Sequence, residues 1–127
     1  MGYRSDVTIA FYTRKPDELP GAAVKLWFDE NYPVKAATDE WRAEITKGDD
    51  WILVRYHDVK WYDGYEHIHE VQRALDSFDV CFDANDKDLA AWEFARVGEN
   101  DDDVETNRSS YCDYQVDVRR EIVTGFE

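Results

Sequence analysis

Residues 7–12 show the period-two alternation of a β-strand. They read Val-Thr-Ile-Ala-Phe-Tyr, so successive side chains point to opposite faces of a sheet. Both sets of side chains are fairly apolar. A strand that is apolar on both faces suits the middle of a sheet, and we expect this one to lie there.

A helix is predicted to follow this strand. We expect it to begin at residues 16–18, Pro-Asp-Glu, because proline suits the first turn and acids are stabilised at the positive end of the helix dipole. Tyr32-Pro33 predicts its end. The predicted buried stripe consists of Leu19, Ala23, Leu26 and Trp27.

Residues 41–61 are predicted to form a β-hairpin. Residues 41–46 alternate in polarity, residues 47–50 (Lys-Gly-Asp-Asp) supply a turn, and residues 51–61 return as a second strand. A helix over residues 38–46 is the alternative, since Thr38-Asp39 makes a fair N-cap. The clean alternation and the turn that follows favour the strand. The side chains expected on one face of the return strand are Ile52, Val54 and Tyr56.

From Tyr65 the apolar period becomes that of a helix. After this helix we expect a polar loop at residues 83–88, a strand at 91–97, an acidic, turn-rich connection at 98–110, and a last strand from Tyr114 towards Ile122. The apolar residues at helical spacing are Ile68, Val71, Leu75 and Phe78.

These elements follow the order β-α-β-β-α-β-β, and we expect a single domain spanning residues 1–127. An antiparallel sheet of about five strands with two helices on one face accommodates that order with short connections. The predicted class is therefore α+β. The arrangement resembles a ferredoxin-like sandwich with an added C-terminal hairpin strand.

Charge changes the picture more than composition does. The net charge is −14, and residues 76–105 hold eleven acids against two bases, Lys87 and Arg96. Such a field repels nucleic acid and anionic membranes and attracts basic surfaces. A solvated surface without a partner would explain the same charge. The acids that we predict to contact a basic partner are Asp86, Asp88, Glu99, Asp101, Asp102, Asp103 and Glu105.

Histidine supplies the first candidate metal site. The segment His67-Ile68-His69-Glu70, with His57 and Asp63, could bind a metal ion if these groups converged. Two histidines at i and i+2 of a helix point to different faces, unlike the i and i+4 pair that binds zinc. A solvated histidine pair at a helix start is therefore the favoured interpretation, and no metal or other cofactor is expected.

The remaining motifs give little support for catalysis. Asp101, Asp102, Asp103 and Glu105 are nearly contiguous, whereas a calcium-binding EF-hand loop needs alternating acids around a glycine. No nucleophile motif or phosphate-binding glycine loop occurs. The sequence leaves open a catalytic carboxylate pair, because such a pair is defined in space.

Direct binding to nucleic acid or membrane is not expected either. The bases are scattered among acids, and the aromatic residues near residues 51–65 are better suited to core packing. No apolar run approaches the roughly 20 residues that span a bilayer. The only cysteines, Cys81 and Cys112, follow no secretory leader pattern, so we expect buried thiols in a reducing, cytoplasmic compartment.

About a third of the chain resembles small acidic accessory proteins of tailed bacteriophages. The resemblance lies in residues 2–7 (Gly-Tyr-Arg-Ser-Asp-Val), 59–62 (Val-Lys-Trp-Tyr), 96–105 (Arg-Val-Gly-Glu-Asn-Asp-Asp-Asp-Val-Glu) and 119–122 (Arg-Arg-Glu-Ile). That group carries no assigned activity. The resemblance implies viral origin, an accessory role and the cytoplasm of an infected host, and it transfers no catalytic residue.

Three functions follow from these features. The first is a phage-encoded inhibitor that is not an enzyme and blocks the basic, nucleic-acid-binding surface of a host protein, such as a CRISPR effector or another anti-phage nuclease. The second is a small metal-dependent enzyme using His57, His67 and His69 with nearby carboxylates. The third is a virion or assembly component. The acidity favours the first.

Overall fold

Seven strands and two helices follow one another in the described part of this computed structural model, which comprises residues 5–34, 42–59, 66–83, 89–98, 104–108, 116–118 and 122–124. The elements are β1 (Ser5–Thr13), α1 (Gly21–Asn31), β2 (Glu44–Lys47), β3 (Trp51–Val59), α2 (Glu66–Asp83), β4 (Ala90–Val97), β5 (Val104–Arg108), β6 (Val116–Val118) and β7 (Ile122–Thr124).

The first five strands form one antiparallel sheet in the order β2-β3-β1-β4-β5. β1 lies at its centre, as its two apolar faces predict. Ile9 of β1 stands opposite Val54 on one side and Phe94 on the other. With α1 and α2 on one face, this is the α+β, ferredoxin-like architecture expected from the order of elements.

The helices cover the main hydrophobic core. Alternate residues of the three central strands face them, among them Phe11, Ile52 and Trp92. Phe11 lies at the centre of this core, with its ring 5.3–5.7 Å from four aromatic rings of the helices and the segment after α1. All four apolar residues predicted for α2 are buried. The buried helix residues are Val24, Trp27 and Phe28 of α1 and Ile68, Val71, Ala74, Leu75 and Phe78 of α2.

The opposite face of the sheet carries a second, smaller apolar cluster. The hairpin β6–β7 lies against β4 on this side, and Ile122 packs against the cluster. The sheet is therefore covered on both faces, by helices on one and by a short hairpin on the other. The buried members of this cluster are Ala10, Tyr12, Leu53, Ala91 and Ala95.

The start of α1 differs from the prediction. Residues 16–19 form turns, and the helix begins at Gly21 after Pro20. A helix starting at residue 16 would place Pro20 in its interior, where proline lacks the N–H donor and its ring clashes with the preceding turn. The buried stripe of the helix also differs from the prediction: it includes the predicted Trp27 together with Val24 and Phe28, and it leaves Leu26 60% exposed.

Three strand predictions also need correction. β2 begins only at Glu44, because Arg42 has a φ of 52°, which extended backbone does not adopt. The connection expected at residues 98–110 contains β5, which occupies the sheet edge. The single last strand expected from Tyr114 to Ile122 is instead the two-stranded hairpin β6–β7, which is separate from the main sheet.

Candidate interaction surface

The β4–β5 hairpin holds Glu105, the one predicted acidic contact residue that lies in the described residues. Ala95 of β4 stands opposite Thr106 of β5, and Val97 stands opposite Val104. β4 is buried over most of its length, whereas Val104–Asn107 are exposed. β5 therefore lies at the sheet margin and is bound mainly through its pairing with β4.

A buried carboxylate joins β5 to the centre of the sheet. The side chain of Glu93 is fully buried, and the guanidinium Nε of Arg108 donates to it at 3.1 Å. The hydroxyl of Tyr12, from β1, donates to its other oxygen at 2.5 Å. A buried charge is tolerated only with such partners. Sequence reasoning missed this cluster, because Glu93 and Arg108 are seen to be opposite each other only when the register of β4 and β5 is known.

A second ion pair joins the two strands on the other face of the hairpin. Arg96 donates to Glu105 at 3.1 Å and also to the hydroxyl of Ser5 at 3.1 Å. The Glu105 side chain is 54% exposed, so screening by solvent keeps this pair weak. Both arginines of the hairpin therefore already bind carboxylates of the hairpin itself.

Only Glu105 of the predicted acidic contact residues lies in the described part of the chain. Segments 84–88 and 99–103 continue from opposite ends of β4, which are roughly 23 Å apart at ~3.3 Å per residue. At one end Leu89 accepts a backbone hydrogen bond from Arg14 at 2.7 Å; at the other, Arg96 contacts Ser5. The predicted acids outside the described residues are Asp86, Asp88, Glu99, Asp101, Asp102 and Asp103.

The described histidines do not meet. His57 lies on β3 and faces the side of the sheet without helices, where its Nε2 is 3.8 Å from Glu44. His69 is exposed on α2, on the other side of the sheet. The side chain of His67, and Asp63, lie outside the described residues. Among the residues that the structure does describe, no group of three His, Cys, Asp or Glu side chains could hold a metal ion.

Further features of the described residues are a free cysteine and a surface cleft. Cys81 is an exposed free thiol on α2, contrary to the expected burial, and Cys112 lies outside the described residues. A surface cleft of about 390 Å³ lies between the end of α1 and α2. Its lining includes both Glu70 and Arg73, so it does not extend the acidic surface.

The core between the sheet and the helices contains a pair of hydrogen-bonded tyrosines. The hydroxyls of Tyr32 and Tyr56 lie 2.5 Å apart, and both side chains are buried. Burial is the main cause that raises the pKa of both phenols above 10.0, and the neighbouring Tyr56 raises the pKa of Tyr32 further. Neutral phenols with such values are structural hydrogen-bonding groups at ordinary pH.

Comparison of the chain with known proteins and structures finds no relative. No protein-family model matches the chain, and neither a curated protein nor a solved structure is significantly similar to it. In the described residues, neither helix is both long and apolar enough to cross a membrane. The functional argument therefore depends on the charge and geometry of the β4–β5 hairpin.

Proposed function

We propose that this chain is a phage-encoded binding protein that inhibits a host protein in the cytoplasm of the infected cell. Its acidic residues 99–105 would occupy a basic surface that otherwise binds nucleic acid, such as the groove of a CRISPR effector or another anti-phage nuclease. The proposal includes no catalytic residue, no cofactor, and no direct contact with nucleic acid or membrane.

The observation that carries this proposal is the pairing of the hairpin arginines. Arg96 and Arg108 bind Glu105 and Glu93 at 3.1 Å each, so their charge is already matched within the hairpin. Residues 99–103, between the two strands, add four acids and no base. The hairpin thus retains a strong negative excess beside an exposed edge strand.

A negative excess of this density suits a basic groove. Duplex DNA presents about one negative charge per 1.7 Å of its axis, and proteins that bind it present matching Lys and Arg side chains. An acidic protein competes for those side chains. Long-range attraction of this kind accelerates association and weakens as salt is added.

A charge-matched pair of variants tests the proposed surface. Asp101→Asn/Asp102→Asn/Asp103→Asn removes three charges between β4 and β5. The control Asp17→Asn/Glu18→Gln/Asp49→Asn removes three exposed charges at the end of the sheet where α1 begins. Both variants reach the same net charge, so a difference between them reports position.

The measurement is capture of a partner from bacterial lysate, followed by inhibition of its DNA binding or cleavage. We expect the hairpin variant to lose at least about tenfold in affinity, the control to lose less than about threefold, and duplex DNA to displace the protein. Equal effects of both variants would show that net charge alone is responsible. A captured partner whose nucleic-acid activity is unchanged would contradict the inhibitor function.

The viral origin is a separate part of the proposal and has a separate test. It is supported by the resemblance of residues 2–7, 59–62, 96–105 and 119–122 to phage accessory proteins. The neighbouring genes provide the test. Phage structural or early genes on both sides would support the origin, and metabolic genes of a cellular chromosome would contradict it.

A further inference from the structure

Among the described strands, β5 forms an open edge of the main sheet. β5 is the last strand in the order β2-β3-β1-β4-β5, so within the described residues no strand pairs with the side that faces away from β4. Val104 is 42% exposed, and Glu105, Thr106 and Asn107 are also exposed. An exposed strand edge presents backbone N–H and C=O groups that can pair with another chain.

β5 is also held firmly enough to serve as a template. On one face of the sheet Arg108 binds the buried Glu93, and on the other face the exposed pair Arg96–Glu105 adds a weaker contact. Because Glu93 is fully buried, separating Arg108 from it would leave an uncompensated charge inside the protein. The edge is thus pre-organised, which lowers the entropic cost of adding a strand.

The opposite edge of the sheet is less suited to this role. β2 has four residues, and very short edge strands are one means by which proteins avoid edge pairing. Its Lys47 already donates to Asp29 of α1 at 2.9 Å, and its Glu44 lies beside His57. β5 likewise carries matched charges, Glu105 and Arg108, but it follows residues 99–103, which hold four acids and no base.

We propose that an extended, basic segment of the partner pairs with the outer edge of β5 as a sixth strand of the sheet. This inference rests on the proposed function and specifies how the acidic hairpin binds. Backbone hydrogen bonds along β5 would supply affinity, and the negative field of the chain, to which residues 99–105 contribute five acids, would attract lysine or arginine side chains of the added strand.

Charge selects a basic occupant over a second copy of this chain. Residues 99–105 contain five acids and no base, and each copy carries a net charge of −14. Pairing two β5 edges would bring two such fields together, and like charges oppose association. A basic strand meets the same field with the opposite sign.

A defined peptide probe tests the pairing without knowledge of the partner. The probe is a nine-residue peptide that alternates lysine with valine or threonine. Its control is the same peptide N-methylated at every backbone amide, which keeps the charge and removes the N–H donors from both edges of the added strand. We expect the probe to bind at least tenfold more tightly than its control and to slow amide hydrogen exchange in residues 104–108.

Each result decides between distinct interpretations. Equal binding of the probe and its control would overturn strand addition and leave an acidic surface that binds by charge alone. Absence of binding up to about 1 mM, or binding without protection of residues 104–108, would also overturn it. Protection of these amides without peptide, together with a dimeric mass, would identify a second copy as the occupant and contradict the proposal.

Proline variants of β5 provide the reciprocal test. Successive strand residues direct their N–H groups to alternate sides, so one of Thr106→Pro and Asn107→Pro removes a donor towards β4 and the other removes an outward donor. The variant with the smaller loss of thermal stability is the one that lacks the outward donor, and we expect it to bind the probe and the N-methylated control equally tightly. If this variant still bound the probe more tightly than the control, the peptide would not be pairing with β5. If only the probe experiments fail while partner capture remains sensitive to residues 101–103, the proposed function stands without strand addition.

Discussion

Replacing Arg108 by alanine removes the cation that lies 3.1 Å from the fully buried Glu93 carboxylate. The remaining charge would keep only its other hydrogen bonds, among them the one from Tyr12. We expect Arg108→Ala to lower the free energy of unfolding by about 3 kcal/mol, measured by urea denaturation. The matched control is Glu105→Gln in the exposed pair, with an expected cost below about 1 kcal/mol. Equal losses in both variants would show that burial of Glu93 has no energetic weight.

The tyrosine pair predicts a loss of stability in alkaline solution. The pKa values of Tyr32 and Tyr56 are raised above 10.0 in the folded protein, chiefly by burial. Above pH 10 the unfolded chain releases these protons while the folded protein retains them. The stabilisation is therefore complete below pH 10 and is lost as pH rises, at about 1.4 kcal/mol per pH unit for each tyrosine.

The measurement is the pH dependence of chemical unfolding between pH 9 and 11.5. The double variant Tyr32→Phe/Tyr56→Phe lacks both phenols and serves as the reference. Its stability should fall less steeply with pH than that of the parent protein. Parallel curves for the two proteins would mean that both buried phenols ionise in the folded state.

At the scale of single elements, the junction between α1 and the β2–β3 turn is tightly packed. A Cβ atom added to Gly21 would overlap the backbone carbonyl oxygen of Asp49. Gly21→Ala should therefore cost about 2 kcal/mol through displacement of the turn, although alanine favours helix more than glycine does. Leu26→Ala, at a 60% exposed position of the same helix, should change stability by less than about 0.5 kcal/mol. Thermal melting compares them, and an increase in stability for Gly21→Ala would contradict this account.

The elements differ in how far the sequence predicts them, and the reason is physical. α2 is predicted well because 18 residues repeat one apolar period and pack against the sheet along one stripe. β5 is not, because it has one apolar residue, Val104, and packs little of its own surface. It is bound through its backbone pairing with β4 and through the opposed charges Glu93–Arg108 and Arg96–Glu105, a cross-strand pattern that is visible only once the register is known.

The same distinction holds for the candidate surface. Counting charges predicts an acidic region, and the chain order assigns it to the ends of β4. The sequence does not show that two arginines are already matched within the hairpin, or that β5 is a sheet edge. Both facts depend on a pairing between strands, which the hydrophobic pattern of residues 98–110 does not signal.

At the scale of the whole molecule, self-repulsion should limit stability at low ionic strength. The net charge is −14, and the Debye length shortens from about 30 Å at 0.01 M salt to about 10 Å at 0.1 M. We expect the melting temperature to rise by about 3–6 °C over this range, the equivalent of roughly 1 kcal/mol. The variant Asp101→Asn/Asp102→Asn/Asp103→Asn should show a smaller rise. A melting temperature that falls with added salt would show that attractive ion pairs outweigh the repulsion.

The hairpin β6–β7 has a consequence for the order in which the chain is made. Tyr12 and Leu53 belong to the smaller apolar cluster, yet Ile122, which packs against this cluster, is synthesised much later. During translation the helix-covered core has all its elements once residue 97 has left the ribosome, while the opposite face of the sheet is still uncovered. Transiently exposed apolar surface on nascent chains promotes aggregation and chaperone binding. Stalled nascent chains in which residue 97 but not residue 116 has left the exit tunnel should therefore hold a folded but chaperone-bound sheet, and those in which residue 124 has also left the tunnel should be free of chaperone.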